Sequence, residues 1–89
     1  MKAIITVIGK DSVGILGKVS SACAEAGVNI LEVTQSVLQD MFAMIMLGDF
    51  EKSPIAFSEF QQKLSDLGDD MGMKIHVMHE DIFNSMHKI

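Results

Sequence analysis

Arginine, tryptophan and tyrosine are missing from the 89 residues, and cysteine and proline occur once each. The bases are lysines only, at positions 2, 10, 18, 52, 63, 74 and 88, and they do not cluster. Binding a nucleic-acid backbone takes grouped basic side chains, and reading unpaired bases takes exposed aromatics. With neither, and with 12 acids against 7 bases for a net charge of −5, the chain is a poor fit to nucleic acid or to an anionic membrane surface. A single cysteine cannot close an intramolecular disulfide. No stretch approaches the ~20 apolar residues of a membrane span. The N-terminus, MKAIITVIGKD, turns polar after a short apolar run, unlike a signal peptide. A small cytoplasmic protein is expected.

What is present is apolar: 48% of residues are hydrophobic, including eight methionines and five phenylalanines. Residues 1–89 are expected to form one domain. A body of this size buries only roughly 60–65% of its unfolded surface, so its core is marginal and an oligomer would bury the surplus.

Lys2–Gly9 is apolar and β-branched on both alternating faces, which suits a central strand. Apolar or small residues then recur at Ile15, Leu16, Val19, Ala22, Cys23 and Ala26, at helical spacing, with Asp11 or Ser12 as cap and Gly27 as terminator. Val28–Gln39 has mixed faces, with Leu31, Val33 and Val37 opposed to Ile30, Glu32, Thr34 and Ser36, as an edge strand would. A Gln39-Asp40 turn leads into Met41–Phe50, apolar on both faces and therefore central. Ser53 and Pro54 predict the start of a second helix with the stripe Phe57, Phe60, Leu64, Leu67 and Met71, ending near Gly72. Met73–His79 is the last strand. Ile82, Met86 and Ile89, beside Phe83, predict a tail helix over 82–89. The expected fold is α+β: a ferredoxin-like βαββαβ sandwich with a four-stranded antiparallel sheet, two helices on one face and a short C-terminal helix. The second sheet face then needs cover from the tail helix or another subunit.

Residues 9–16, GKDSVGIL, join the first strand to the first helix. A helix start offers unpaired N–H donors to an anion, and a glycine lets a ligand approach the backbone. Local chemistry alone favours a plain turn, because such turns are common. In this topology Asn29 begins its strand at the far end from that loop, so a shared site would need a neighbouring subunit. The pattern G-K-D-S-V-G-I, followed a helix later by A-G-V-N-I, resembles the signature of the ACT domain over essentially the whole chain. The tail, with Ile82, Phe83, Met86 and Ile89, is similar to that of short stand-alone ACT proteins, some linked to regulation of glycine cleavage.

The resemblance implies a regulatory module, not an enzyme, that binds a small molecule, commonly an amino acid, between edge-paired subunits of a homodimer or higher oligomer. It implies a site formed by Asp11, Ser12, Val13, Gly14 and Ile15 of one chain with Val28, Asn29 and Ile30 of its neighbour. Gly14 and Ile15 N–H groups would hold a carboxylate, and Asp11 and Asn29 an ammonium. Two positions depart from the family pattern: Val13, where many members carry proline, and Gly9, where some amino-acid binders carry a polar donor.

Competing chemistries fit less well. The methionines are spaced as core filler rather than as a copper-binding array. His76 and His79 point to opposite faces of a strand and cannot chelate together. Cys23 sits mid-helix without a partner base. No metal, cofactor or catalytic residue is expected. An RNA-recognition sheet would need aromatics, an acylphosphatase-like loop an arginine, and a heavy-metal chaperone paired cysteines. A protein-interaction adaptor, recruiting a regulated enzyme or regulator through the dimer surface or tail, is the alternative function.

Overall fold

The computed structural model describes residues 1–87. Its order is β1 (Lys2–Lys10), α1 (Ile15–Glu25), β2 (Asn29–Leu38), β3 (Met41–Asp49), α2 (Phe57–Met71), β4 (Met73–His79) and α3 (Glu80–His87). The strands form one antiparallel sheet in the order β2-β3-β1-β4, so the two strands with two apolar faces are central. The ferredoxin-like α+β architecture is therefore the one the sequence pattern predicts.

Helices α1 and α2 close one sheet face. Alternation sends Ala3, Ile5 and Val7 of β1 toward them, together with Phe42, Met44 and Met46 of β3 and Ile75 and Val77 of β4. Ile15, Val19 and Cys23 of α1 and Phe60 and Leu64 of α2 complete this core. Gly68 lets α2 lie close on β4, since a Cβ there would come 2.8 Å from the Met73 carbonyl oxygen. The helix ends, as the sequence predicts, at Gly72, with φ 69°.

The second face is only partly covered. Helix α3 packs on β1 and β4. Ile4 on this face is 7% exposed, whereas its neighbours Ile8 and Ile45 are 47% and 48% exposed.

Three local expectations are corrected. Helix α1 is not capped by Asp11 or Ser12: it starts at Ile15, its N-cap is Gly14, and no side chain caps it. Helix α2 starts at Phe57 behind Ala56, not at Pro54; the Ser53 hydroxyl donates to the Ala26 carbonyl at the end of α1 and accepts the Ile55 N–H in a turn that precedes the helix. The tail helix starts at Glu80 rather than Ile82, and the predicted Lys88 and Ile89 lie outside the described residues.

The faces of β2 also differ from simple alternation. A β-bulge at Leu31 shifts the register between Ile30 and Glu32. Ile30 pairs with Gly48 and Val33 with Met46, so both lie on the helix side, with Glu32 opposite Leu47 on the other. Val28, expected to open the strand, precedes it and is buried at 4% exposure.

Candidate functional site

The loop between β1 and α1 is fixed at both ends. The Asp11 N–H donates to the Asp40 carbonyl in the β2–β3 turn at 2.8 Å, which ties the loop to that turn. Gly14 adopts φ 85°, ψ 12°, a left-handed conformation that costs a residue with a Cβ about 1–2 kcal/mol. Its carbonyl accepts the Lys18 N–H at 3.0 Å, and the first turn of α1 has no acidic side chain to offset its positive dipole end. Asp11, Ser12, Val13 and Gly14 are exposed, with Val13 at 99%, whereas Ile15 is buried in the core. Four of the five loop positions are thus open to a ligand.

Gly9 lies on the helix side beside Met73. A Cβ there would stand 2.5 Å from the Met73 sulfur, so the thioether fills the space that a larger side chain would need.

The second half of the expected site lies elsewhere in the chain. Asn29 opens β2 and pairs with Asp49, which pairs with Lys2 across the sheet. The loop follows Lys10, which pairs with Met41 opposite Leu38 at the other end. At the rise of an extended strand these ends are roughly 30 Å apart. One chain therefore brings Asp11, Ser12, Val13, Gly14 and Ile15 together, and Val28, Asn29 and Ile30 together, but not the two groups.

Sequence reasoning missed what surrounds Asn29. A cleft of about 210 Å³ is lined by Gly27, Asn29, Asp49 and Lys52. Its wall, the β3–α2 connection, is held by several hydrogen bonds. The Asp49 Oδ1 accepts the Glu51 N–H at 2.9 Å, and the Ser53 N–H donates to the Phe50 carbonyl at 3.1 Å. The Phe50 N–H donates to the Met1 carbonyl at 3.0 Å, and Ser53 is joined to Ala26 as above. Gly27, with φ 76°, allows this wall to close, since a Cβ would lie 3.1 Å from Pro54 Cδ. Counting back from the Gln39-Asp40 turn pairs Asn29 with Phe50; the bulge at Leu31 moves it to Asp49.

The remaining candidates take structural places. His76 and His79 face opposite sides of the sheet, through their pairing with Thr6 and Ala3. His79 Nδ1 accepts the Asp81 N–H at 3.0 Å at the start of α3. Among the described residues no group of three His, Cys, Asp or Glu is placed to hold a metal, and no helix is long and apolar enough to cross a membrane.

Cys23 is fully buried, and desolvation of the thiolate pushes its thiol up to about 11 from 9.0. Because the folded value is the raised one, the stabilising contribution is complete below pH 9 and is lost as pH rises toward 11. Denaturation from pH 8 to 11 is expected to show this fall, by an amount on the order of 2–3 kcal/mol, in the parent protein and not in Cys23→Ala. Equal slopes in the two proteins would count against it.

Comparison with known proteins agrees with this fold and these motifs. The ACT domain family profile matches residues 2–78, and the chain belongs to that family, whose members are typically ligand-binding regulatory modules. A UPF0237 protein of Clostridium acetobutylicum is 47% identical over 89 residues, covering 100% of both chains. An ACT domain protein from Streptococcus pneumoniae superposes with a TM-score of 0.82 at 36% identity, covering 93% of each chain. The regulatory subunit of aspartate kinase from Thermus thermophilus shares the fold, with a TM-score of 0.69 at 24% identity over 89% of this chain and 51% of that one.

Proposed function

We propose that this chain is a regulatory module that binds an amino acid, or a similar small zwitterion, between the two subunits of a homodimer. The observation that carries this reading is the β2 edge. All ten residues of NILEVTQSVL lie on the free edge of the sheet, and beyond the Leu31 bulge and Glu32 the segment Val33–Leu38 carries no charge or proline to block pairing with another strand. Val33 and Val37 on its helix side are 40% and 51% exposed.

Antiparallel pairing of β2 with its copy about a mid-strand twofold axis sets each Asn29 opposite the partner's Leu38 end. The Asp11–Ile15 loop is tied to that end through Asp40. The two half-sites, remote within one chain, then face each other between chains. A ligand touching both favours the paired state by its differential affinity for it, and this linkage is the regulatory output.

Calorimetry against the common amino acids at millimolar concentration tests the reading. Asn29→Ala is expected to weaken the binding found by about 1–3 kcal/mol, the cost of leaving a buried polar partner unsatisfied. A folded, dimeric protein that binds none of them would remove the amino-acid function, and unchanged affinity in Asn29→Ala would remove Asn29 from the site.

The open part of the second sheet face favours a second reading, a protein adaptor. Ile8, Met41 and Ile45 are each about half exposed there. For an adaptor, Ile45→Lys would abolish partner binding and leave amino-acid affinity unchanged.

A further inference from the structure

We infer that the cleft at Asn29 is the charged half of the ligand site, with Asp49 holding the ammonium group and Lys52 the carboxylate of a small α-amino acid. The inference deepens the proposed function and rests on it for the ligand class. The loop half contributes backbone N–H groups and a single charge, Asp11, and it has no basic side chain of its own between Lys10 and Lys18. In the absence of arginine, a lysine must supply any cationic side-chain contact.

Lys52 meets that need. It lines a cleft whose other walls are Gly27, Asn29 and Asp49, and among the described residues it forms no ion pair or side-chain hydrogen bond. Asp49, whose cross-strand neighbour is Lys2, likewise forms no ion pair among the described residues, although it stands in the same cleft as Lys52. Two opposite charges that share a cleft without pairing leave a gap, which a zwitterion can bridge with its own opposite charges. Asp49 is also oriented in advance: Oδ1 accepts the Glu51 N–H, which leaves Oδ2 for an ammonium group. The Asn29 side-chain amide, on the adjoining strand, can donate to the carboxylate or accept from the ammonium.

The cleft, of about 210 Å³, has room for the charged end of an amino acid. The wall cannot open freely, because Ser53 and Phe50 are hydrogen-bonded to Ala26 and Met1.

The test uses the full chain labelled with ¹⁵N and titrated with each common amino acid, then with the amine lacking the carboxylate and the N-acetyl derivative of any that binds. Saturable shifts are expected at the amides of Asn29, Asp49 and Lys52. Lys52→Met should weaken the amino acid at least tenfold while leaving the amine unchanged. Asp49→Asn, which keeps the acceptor for Glu51, should weaken the amino acid similarly while leaving the N-acetyl derivative unchanged. A merely structural role for either residue would shift both ligands of its pair alike, and that result overturns the assignment. Unchanged affinity in both variants, with shifts confined to residues 11–15, overturns the cleft and leaves the interface function standing. Failure of every amino acid to bind the dimer overturns both.

Discussion

Val33→Lys combined with Val37→Lys is expected to convert a paired protein into monomers and to abolish amino-acid binding with it. Both residues sit on the free edge strand and are 40% and 51% exposed in the single chain, so a lysine there is tolerated by the monomer. In the pair each valine would bury its remaining surface. Four such half-burials, two per subunit, amount to about 3 kcal/mol, or roughly two orders of magnitude in the dimerisation constant. The mid-strand twofold axis also brings the two ammonium groups at position 33 near each other, and like-charge juxtaposition at an interface adds to the loss. Sedimentation velocity measures the first effect and calorimetry the second, with circular dichroism to show that the fold is kept. A dimer of unchanged stability that still binds its ligand would place the interface elsewhere.

Phe60→Ala is expected to cost about 3–5 kcal/mol of stability. Phe60 is fully buried at the centre of the core, and its ring lies 5.5 Å from Phe50, which in turn meets Phe57 edge-on at 5.4 Å. These rings join α2 to the β3–α2 connection that walls the Asn29 cleft, so the loss spreads from packing to the site. A chain of 89 residues has about 4–13 kcal/mol of total stability at typical values per residue. The substitution therefore removes a large share of it, and urea denaturation should show a much lower midpoint. A loss below about 1 kcal/mol would mean that the helices close over the cavity.

The features legible in the sequence are those carried by neighbouring residues. Two-sided apolarity placed β1 and β3 at the centre of the sheet, and the stripe Phe57, Phe60, Leu64, Leu67 and Met71 marked the buried side of α2. Gly27 and Gly72 both take the left-handed conformation, with φ 76° and 69°, that follows a helix. The motifs D-S-V-G-I and G-V-N-I pointed to the family that the comparisons confirm. Even the separation of the two half-sites follows from topology, since β2 must start at the end where β1 also starts.

The features that were not legible depend on contacts between distant residues. Ser53 has the chemistry of a helix cap, yet its hydroxyl donates to the Ala26 carbonyl 27 positions earlier and accepts the Ile55 N–H in a turn ahead of α2, which begins three residues later than Pro54 suggests. Asp11 and Ser12 also have capping side chains, yet Gly14 in a left-handed conformation turns the chain into α1 without them. The Leu31 bulge changes strand pairing by one residue, and one residue decides whether Asn29 stands opposite Phe50 or Asp49. Hydrophobic period, turn residues and motifs act over a few positions, so the sequence by itself determined the order of elements, the central strands and the family. Register, the close approach at Gly27 and the meeting of Asn29, Asp49 and Lys52 were decided only by tertiary structure, because each depends on residues that only packing brings together.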